Sequence, residues 1–168
     1  MTDPPYAVIE CYAALAKLSA AKLKPGGLCL AYSGILRLPD VMRAMGEHLT
    51  YWWTFAIKHG GQHRAFTPRR IQNAWTPVVA FAKVKPDCGW IIDHLHGHGN
   101  DTSLHVYQHP QSEAEYLIHR LTAPGQLIVD PFAGSGTVLA AAKKLGRRYL
   151  GCEIDSGVAR GARRRLAA

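Results

Sequence analysis

Asp3-Pro4-Pro5-Tyr6 near the start of the chain and Asp130-Pro131-Phe132-Ala133-Gly134-Ser135-Gly136 near its end have residue types and spacings suited to chemistry. In the first cluster each proline holds its own φ near about −65°, and Pro5 also keeps Pro4 extended, so the turn is short and rigid. Such a turn can aim the Asp3 carboxylate and the Pro4 carbonyl at one spot as two acceptors, with the Tyr6 ring beside them as a stacking surface. Two acceptors and an aromatic face suit an exocyclic amine on a planar base. Taken alone, these four residues also make an ordinary turn.

The second cluster follows the apolar run Leu127 to Val129, which reads as a buried strand ending at Asp130 and entering a tight turn. Without Cβ atoms, Gly134 and Gly136 can take positive φ and let the backbone come close to a ligand at a helix N-terminus. The third glycine of the dinucleotide fingerprint is absent, because Leu139 stands at its position. The pattern therefore favours the adenosine part of a ligand over a pyrophosphate, and a purely structural strand-turn-helix stays open. Glu153 follows Asp130 by 153 − 130 = 23 residues. That is close to the roughly 20-residue offset at which a carboxylate meets a ribose hydroxyl in nucleotide-binding βαβ units. An expected strand from Tyr149 to Ile154 carries it.

The elements that must hold these clusters alternate in type. A helix is expected over Val8 to Leu23, ended by Lys24-Pro25-Gly26-Gly27, then a strand from Leu28 to Tyr32. Pro39 opens a second helix with Val41, Met42, Met45 and Leu49 on one face. Tyr51 to Lys58 and Thr76 to Val84 read as strands. Between them, Gly60 to Trp75 reads as a basic loop in which Arg64, Arg69 and Arg70 could contact phosphates and Phe66 or Trp75 could stack on an unpaired base. A solvated connection with a buried Trp75 is the plainer reading. Further helices are expected over Ser112 to Leu121, from Thr137 to Leu145, and over Val158 to Leu166, the last presenting Arg160, Arg163, Arg164 and Arg165. The alternation gives an α/β fold.

With 168 residues, 48% of them hydrophobic, the chain suits one domain spanning 1–168. A formal charge of +8 favours a polyanionic partner such as nucleic acid. Cys11, Cys29, Cys88 and Cys152 are scattered, so neither a zinc site nor a disulfide framework is indicated. No leader-like or long apolar run appears, which makes the cytoplasm the expected compartment and a membrane partner unexpected. His94, His96, His98, His105 and His109 raise the question of a metal, but no cysteine or carboxylate completes a ligand spacing. A loop near DNA, over 84–110, is expected there instead.

Together the two clusters resemble the DNA amino-methyltransferases, which methylate adenine N6 or cytosine N4 using S-adenosylmethionine. The sequence is similar to the permuted subgroup in which D-P-P-Y precedes the cofactor motif, here VDPFAGSGT at Val129 to Thr137. The resemblance extends over LKPGG at Leu23 to Gly27, the strand around Trp52 and Trp53, NAWTPVVAFAK, and LGRRYLGCEID at Leu145 to Asp155. It implies a Rossmann-like methyltransferase fold with a mixed, mostly parallel sheet flanked by helices, and double-stranded DNA as partner. It further implies that Asp130, Phe132, Gly134, Ser135 and Gly136 line the cofactor and that Glu153 accepts its ribose hydroxyls. Gln111 and Ser112 fall near the cofactor by a looser match. Asp3, Pro4, Pro5 and Tyr6 then hold the target base, adenine in preference to cytosine because the motif opens with Asp. Family members usually carry a strand and an acidic segment before D-P-P-Y, where this chain has Met1 and Thr2. The expected sheet lacks that strand, and a homodimer or a complementing chain would complete it.

Three other readings follow from the same residues: a methyltransferase remnant kept for DNA binding or assembly, a nicotinamide-dependent reductase, and a methyltransferase acting on RNA or a protein amide. Leu139 in place of the third glycine and the presence of D-P-P-Y speak against the reductase.

Overall fold

The structure, a computed structural model, describes residues 1–58, 64–86, 88–96 and 111–167. Its strands are β1 (Leu28–Tyr32), β2 (Thr50–Lys58), β3 (Arg64–Phe66), β4 (Ile71–Asn73), β5 (Trp75–Ala82), β6 (His94–His96), β7 (Leu127–Asp130) and β8 (Arg148–Gly151). Its α-helices are α1 (Ile9–Lys22), α2 (Leu38–Gly46), α3 (Gln111–Leu121), α4 (Thr137–Lys144) and α5 (Ser156–Ala167).

Strands β1, β5, β2 and β6 lie side by side in that order. β5 is antiparallel to both neighbours, whereas β6 runs parallel to β2. β7 and β8 form a separate parallel pair. Met1 and Thr2 stand between the two groups. The Thr2 N–H donates to the Leu30 carbonyl and the Tyr32 N–H to the Thr2 carbonyl, both at 3.0 Å, in a parallel bridge to Ala31. On the other side the Met1 nitrogen donates to the Val129 carbonyl at 3.3 Å. Met1 and Thr2 thus link the two groups through backbone hydrogen bonds without forming a strand of their own, and the sheet is mixed, as expected of the fold.

Side-chain alternation across this sheet makes two cores. Cys29, Ala31, Val79 and Phe81 point to one face and pack with Tyr12, Leu15 and Ala16 of α1 and Val41 and Met45 of α2. Leu30, Tyr32, Val78 and Ala80 point to the other and pack with Leu117 of α3. A third cluster joins Ala114 and Ile118 of α3 to Ile128 of β7 and to Val138, Ala141 and Ala142 of α4. Phe55, Ile57 and Phe81 are wholly buried, each contributing about 1.5–3 kcal/mol through burial.

Local sequence explains the boundaries. α1 is rich in Ala, with Leu and Lys beside it, and stops before Pro25, with Gly26 at φ +77 turning the chain. α2 carries a proline in its first turn. Asp155 caps α5 by accepting from the Val158 N–H at 2.8 Å, and hydrogen bonds from Val158 and Gly157 hold its carboxyl below the usual range.

Three expectations need correction. The stretch read as a loop contains a small hairpin, β3–β4, joined by a 3-10 turn at Thr67–Arg69. Arg70 takes the left-handed conformation (φ 52) that lets the second strand return. The strand at Leu127 is buried on one face only: Leu127 and Val129 are 49% and 41% exposed, and Leu150 on β8 is 56% exposed. An apolar run alone does not say how many faces are covered. The last strand ends at Gly151, so Glu153 sits beyond it. Within the loop 84–110, β6 pairs through His94 and Leu95 with Ala56 and Ile57 of β2. His98, His105 and His109 lie outside the described residues, as do 60–63.

Candidate active site

The β7–α4 turn is shaped by two glycines with different work. Gly134 has φ +51, and a Cβ added there would meet no atom within 4 Å, so its backbone faces open space. Gly136 has φ +79, and a Cβ there would lie 3.2 Å from Cβ of Ala162, so this glycine lets α5 approach. Leu139, at the position where the dinucleotide fingerprint needs its third glycine, has its room made from the other side. A Cβ on Gly151 of β8 would fall onto Cδ1 of Leu139. Close helix–strand packing is therefore kept, with the small residue moved from helix to strand.

Glu153 closes the turn. Its Oε2 accepts from the Gly134 N–H at 2.8 Å and its Oε1 from the Asp155 N–H at 2.9 Å. Two backbone donors fix the carboxylate, and each oxygen keeps acceptor capacity for a further donor such as a hydroxyl. Asp130 is 2% exposed and accepts at Oδ1 from the Thr2 hydroxyl at 2.5 Å and the Phe132 N–H at 3.2 Å. Burial pushes its carboxyl pKa up, and the two donors act against that. Ser135 and Thr137 share a hydroxyl contact at 3.3 Å. Arg165 of α5 ties Thr137, at 3.1 Å, to Oε1 of Gln111, at 2.7 Å. Ser112 is exposed.

The D-P-P-Y turn begins one residue after the strand position of Thr2. Val8 N–H donates to the Pro5 carbonyl at 3.0 Å and closes the turn into α1. Pro4 is buried and Pro5 exposed. The Tyr6 hydroxyl hydrogen-bonds to the Asp3 carboxylate, and burial followed by the Asp3 charge raises its pKa, so it stays a neutral donor. Its ring packs on Gly34, where an added Cβ would sit 3.1 Å from Tyr6 Cδ2. Tyr12 donates to the Tyr32 carbonyl at 2.8 Å and lies 3.5 Å from the Pro4 carbonyl. Tyr32 in turn donates to Oε2 of Glu113 at 3.1 Å.

The two clusters, 124 residues apart in the chain from Tyr6 to Asp130 (130 − 6), are linked through the hydroxyl of Thr2, the residue before the first of them. Thr2 donates to Asp130, and the Phe132 N–H lies 3.3 Å from Thr2 Oγ1. Sequence reasoning missed Thr2, Tyr32 and Glu113. Glu113 had a signal: it lies four residues before Leu117, on the apolar stripe of α3, and is 3% exposed. Among the described residues no three His, Cys, Asp or Glu side chains group as metal ligands. No described helix is long and apolar enough to cross a membrane.

Residues 42–164 match the model of the N6/N4 methyltransferase family, described as DNA methylase. The chain belongs to this family. The chain is 41% identical over 159 residues to the putative methylase YubD of Escherichia coli K12, covering 87% of the chain and 64% of that relative. It is 45% identical over 58 residues to the type II methyltransferase M.HindIII of Haemophilus influenzae, covering 34% of the chain and 19% of that relative. The chain thus spans less than two thirds of these curated relatives. Its fold is similar to that of M1.HpyAVI in complex with SAM (TM-score 0.82, 20% identity, 99% of this chain and 87% of that one). It is equally similar to the cytosine-N4-specific PvuII DNA methyltransferase (TM-score 0.82, 20% identity, 99% and 78%). These likenesses establish a Rossmann-like methyltransferase fold.

Thr2→Val should destabilise the fold by about 1–3 kcal/mol at neutral pH, because it removes a donor from a buried carboxylate. A folded-state pKa raised above the ordinary value means that the charged form is penalised by folding. Stability then falls as pH rises from the ordinary value of 3.8 through the raised one. Losing the hydroxyl widens that window upward, so the deficit should shrink as pH drops and Asp130 takes up its proton. Urea unfolding at several pH values checks this, and a deficit independent of pH would count against the Asp130 contact as its cause.

Proposed function

We propose that this chain is a single methyltransferase domain, 1–168, that transfers a methyl group from S-adenosylmethionine to the exocyclic amine of a base flipped out of double-stranded DNA. Adenine N6 is preferred to cytosine N4. The observation that carries this reading is the Thr2 bridge, since it holds a base-accepting turn against a nucleotide-binding turn.

The residues present fit the cofactor. Gly134 leaves open space where any Cβ would stand, and Glu153 accepts from its N–H with fixed, unsaturated carboxylate oxygens. Asp130, Phe132, Gly134, Ser135 and Gly136 would hold the cofactor with Glu153 on its ribose. When bound, S-adenosylmethionine supplies an electrophilic methyl group.

The chain's own residues do the rest. Asp3 and the Pro4 carbonyl accept hydrogen bonds from the target amine and orient the nitrogen lone pair, with Pro5 keeping the carbonyl in place. Holding both N–H groups favours tetrahedral geometry at nitrogen. Tyr6 stacks on the extrahelical base and offsets some of the stacking lost when it leaves the duplex. Its neutral hydroxyl, already on Asp3, keeps that carboxylate aimed. The formal charge of +8 supports a nucleic acid as the polyanion.

Incubation with labelled S-adenosylmethionine and duplex DNA, followed by digestion to nucleosides and mass spectrometry, tests this. N6-methyldeoxyadenosine is the expected product. N4-methyldeoxycytidine alone would reverse the base preference, and no methylated nucleoside from a folded, cofactor-binding chain would overturn the reading.

A further inference from the structure

The β3–β4 hairpin has no part in the proposed transfer. Between it and the 3-10 turn Ile35–Arg37 lies a groove of about 210 Å³. Leu36, Phe66, Ile71 and Trp75 form its apolar lining, with Gln72 and Asn73 among them. Leu36 and Ile71 are 46% and 57% exposed, an unusual state for two large aliphatic residues in one groove. Arg69 lines the same groove, and Arg69 and Arg70 are exposed at the hairpin tip.

One wall of the groove adjoins, along the chain, the residue that Tyr6 packs on. That wall starts at Ile35, immediately after Gly34, and Gly34 is the residue on which the Tyr6 ring packs. A nucleotide stacked on Tyr6 would bring its neighbours in the strand past this wall. An apolar floor suits sugar and base faces, arginines at the rim suit phosphates, and side-chain amides suit base edges.

We propose that this groove holds the DNA strand flanking the flipped nucleotide, with Arg69 and Arg70 on its phosphates and Leu36 and Ile71 against the adjoining sugar and base. Gln72 and Asn73 contribute sequence preference there. The assignment rests on the DNA methyltransferase reading and adds to it the surface that grips the substrate.

The test uses the full chain and a fluorescein-labelled mixed-sequence duplex, with affinity read by anisotropy at several salt concentrations. Arg69→Ala/Arg70→Ala should weaken binding at least tenfold. It should also lower the slope of log affinity against log salt by about 1.8, at about 0.9 per phosphate contact. Leu36→Ala/Ile71→Ala should leave the salt slope unchanged and cut the methylation rate at least tenfold. Cofactor affinity and melting temperature should stay at wild-type values in both. The charge-matched control is Arg160→Ala/Arg163→Ala on α5, where both arginines are exposed. A wild-type salt slope in the hairpin variant, or an equal drop in the control, overturns the groove assignment while wild-type methylation still stands. A wild-type chain that binds S-adenosylmethionine yet neither binds nor methylates duplex overturns both readings.

Discussion

Asp3→Ala should lower the rate of methyl transfer by about 10²–10³-fold or more, the usual effect of removing one preorganised polar group from a site of developing charge. Affinity for S-adenosylmethionine should change by less than about twofold. The split follows from connectivity. Asp3 is tied to Tyr6, on the base side, whereas the contact with the glycine turn runs through Thr2 and Asp130. Removing the Asp3 carboxylate takes an acceptor from the target amine and leaves the Tyr6 hydroxyl without its hydrogen-bond partner. It does not touch the Thr2 hydroxyl. Asp3→Asn retains one carbonyl acceptor and should recover part of the loss if hydrogen bonding to the amine is the cause. Single-turnover methylation and calorimetric titration on the same preparations separate the two effects. Alanine turnover within tenfold of wild type would remove Asp3 from the base-holding role.

Much of this architecture was legible because the local signals agreed with the tertiary ones. Leu28–Tyr32 was delimited to the residue, since Pro25-Gly26-Gly27 ends α1 and the following run is apolar throughout. The turn at Asp130 was legible for the same reason: a strand, a glycine cluster and an amphipathic helix follow one another without conflict. What escaped depends on contacts between distant segments. Nothing local in Thr2 announces that its hydroxyl will meet Asp130, and nothing in Tyr32 announces Glu113. The hairpin was hidden because its strands are three residues long and its turn uses Arg70 in a left-handed conformation where glycine or asparagine would have signalled it. The half-covered state of Leu127 and Val129 was hidden because burial belongs to the neighbours, not to the strand. Leu139 in the place of a fingerprint glycine pointed away from a dinucleotide, and the structure supplies the physical counterpart in Gly151, whose missing side chain makes room for it.

Gly134→Val and Gly136→Val should fail in opposite ways, although the two positions are separated by one residue and both have positive φ. At either site a β-branched residue is strained, at about 1–2 kcal/mol for the left-handed backbone. At Gly134 that strain is the main cost to the fold, because an added Cβ meets nothing within 4 Å. The valine methyls would instead stand in the cradle assigned to the cofactor, beside the N–H that Glu153 accepts. Cofactor affinity should fall at least 100-fold, equivalent to about 2.7 kcal/mol, with the chain still folded. Gly134→Ala should show the strain with a smaller steric loss. At Gly136 the added Cβ would lie 3.2 Å from Ala162 Cβ and 3.6 Å from its Cα, so the branched side chain must push α5 away. Here the melting temperature should drop well beyond the strain alone, and cofactor binding should be lost with the fold. Thermal melts beside titrations with S-adenosylmethionine read both quantities. Unchanged affinity in folded Gly134→Val would mean that the open space over this glycine is not where the cofactor lies, and the assignment of Glu153 to the ribose would fall with it.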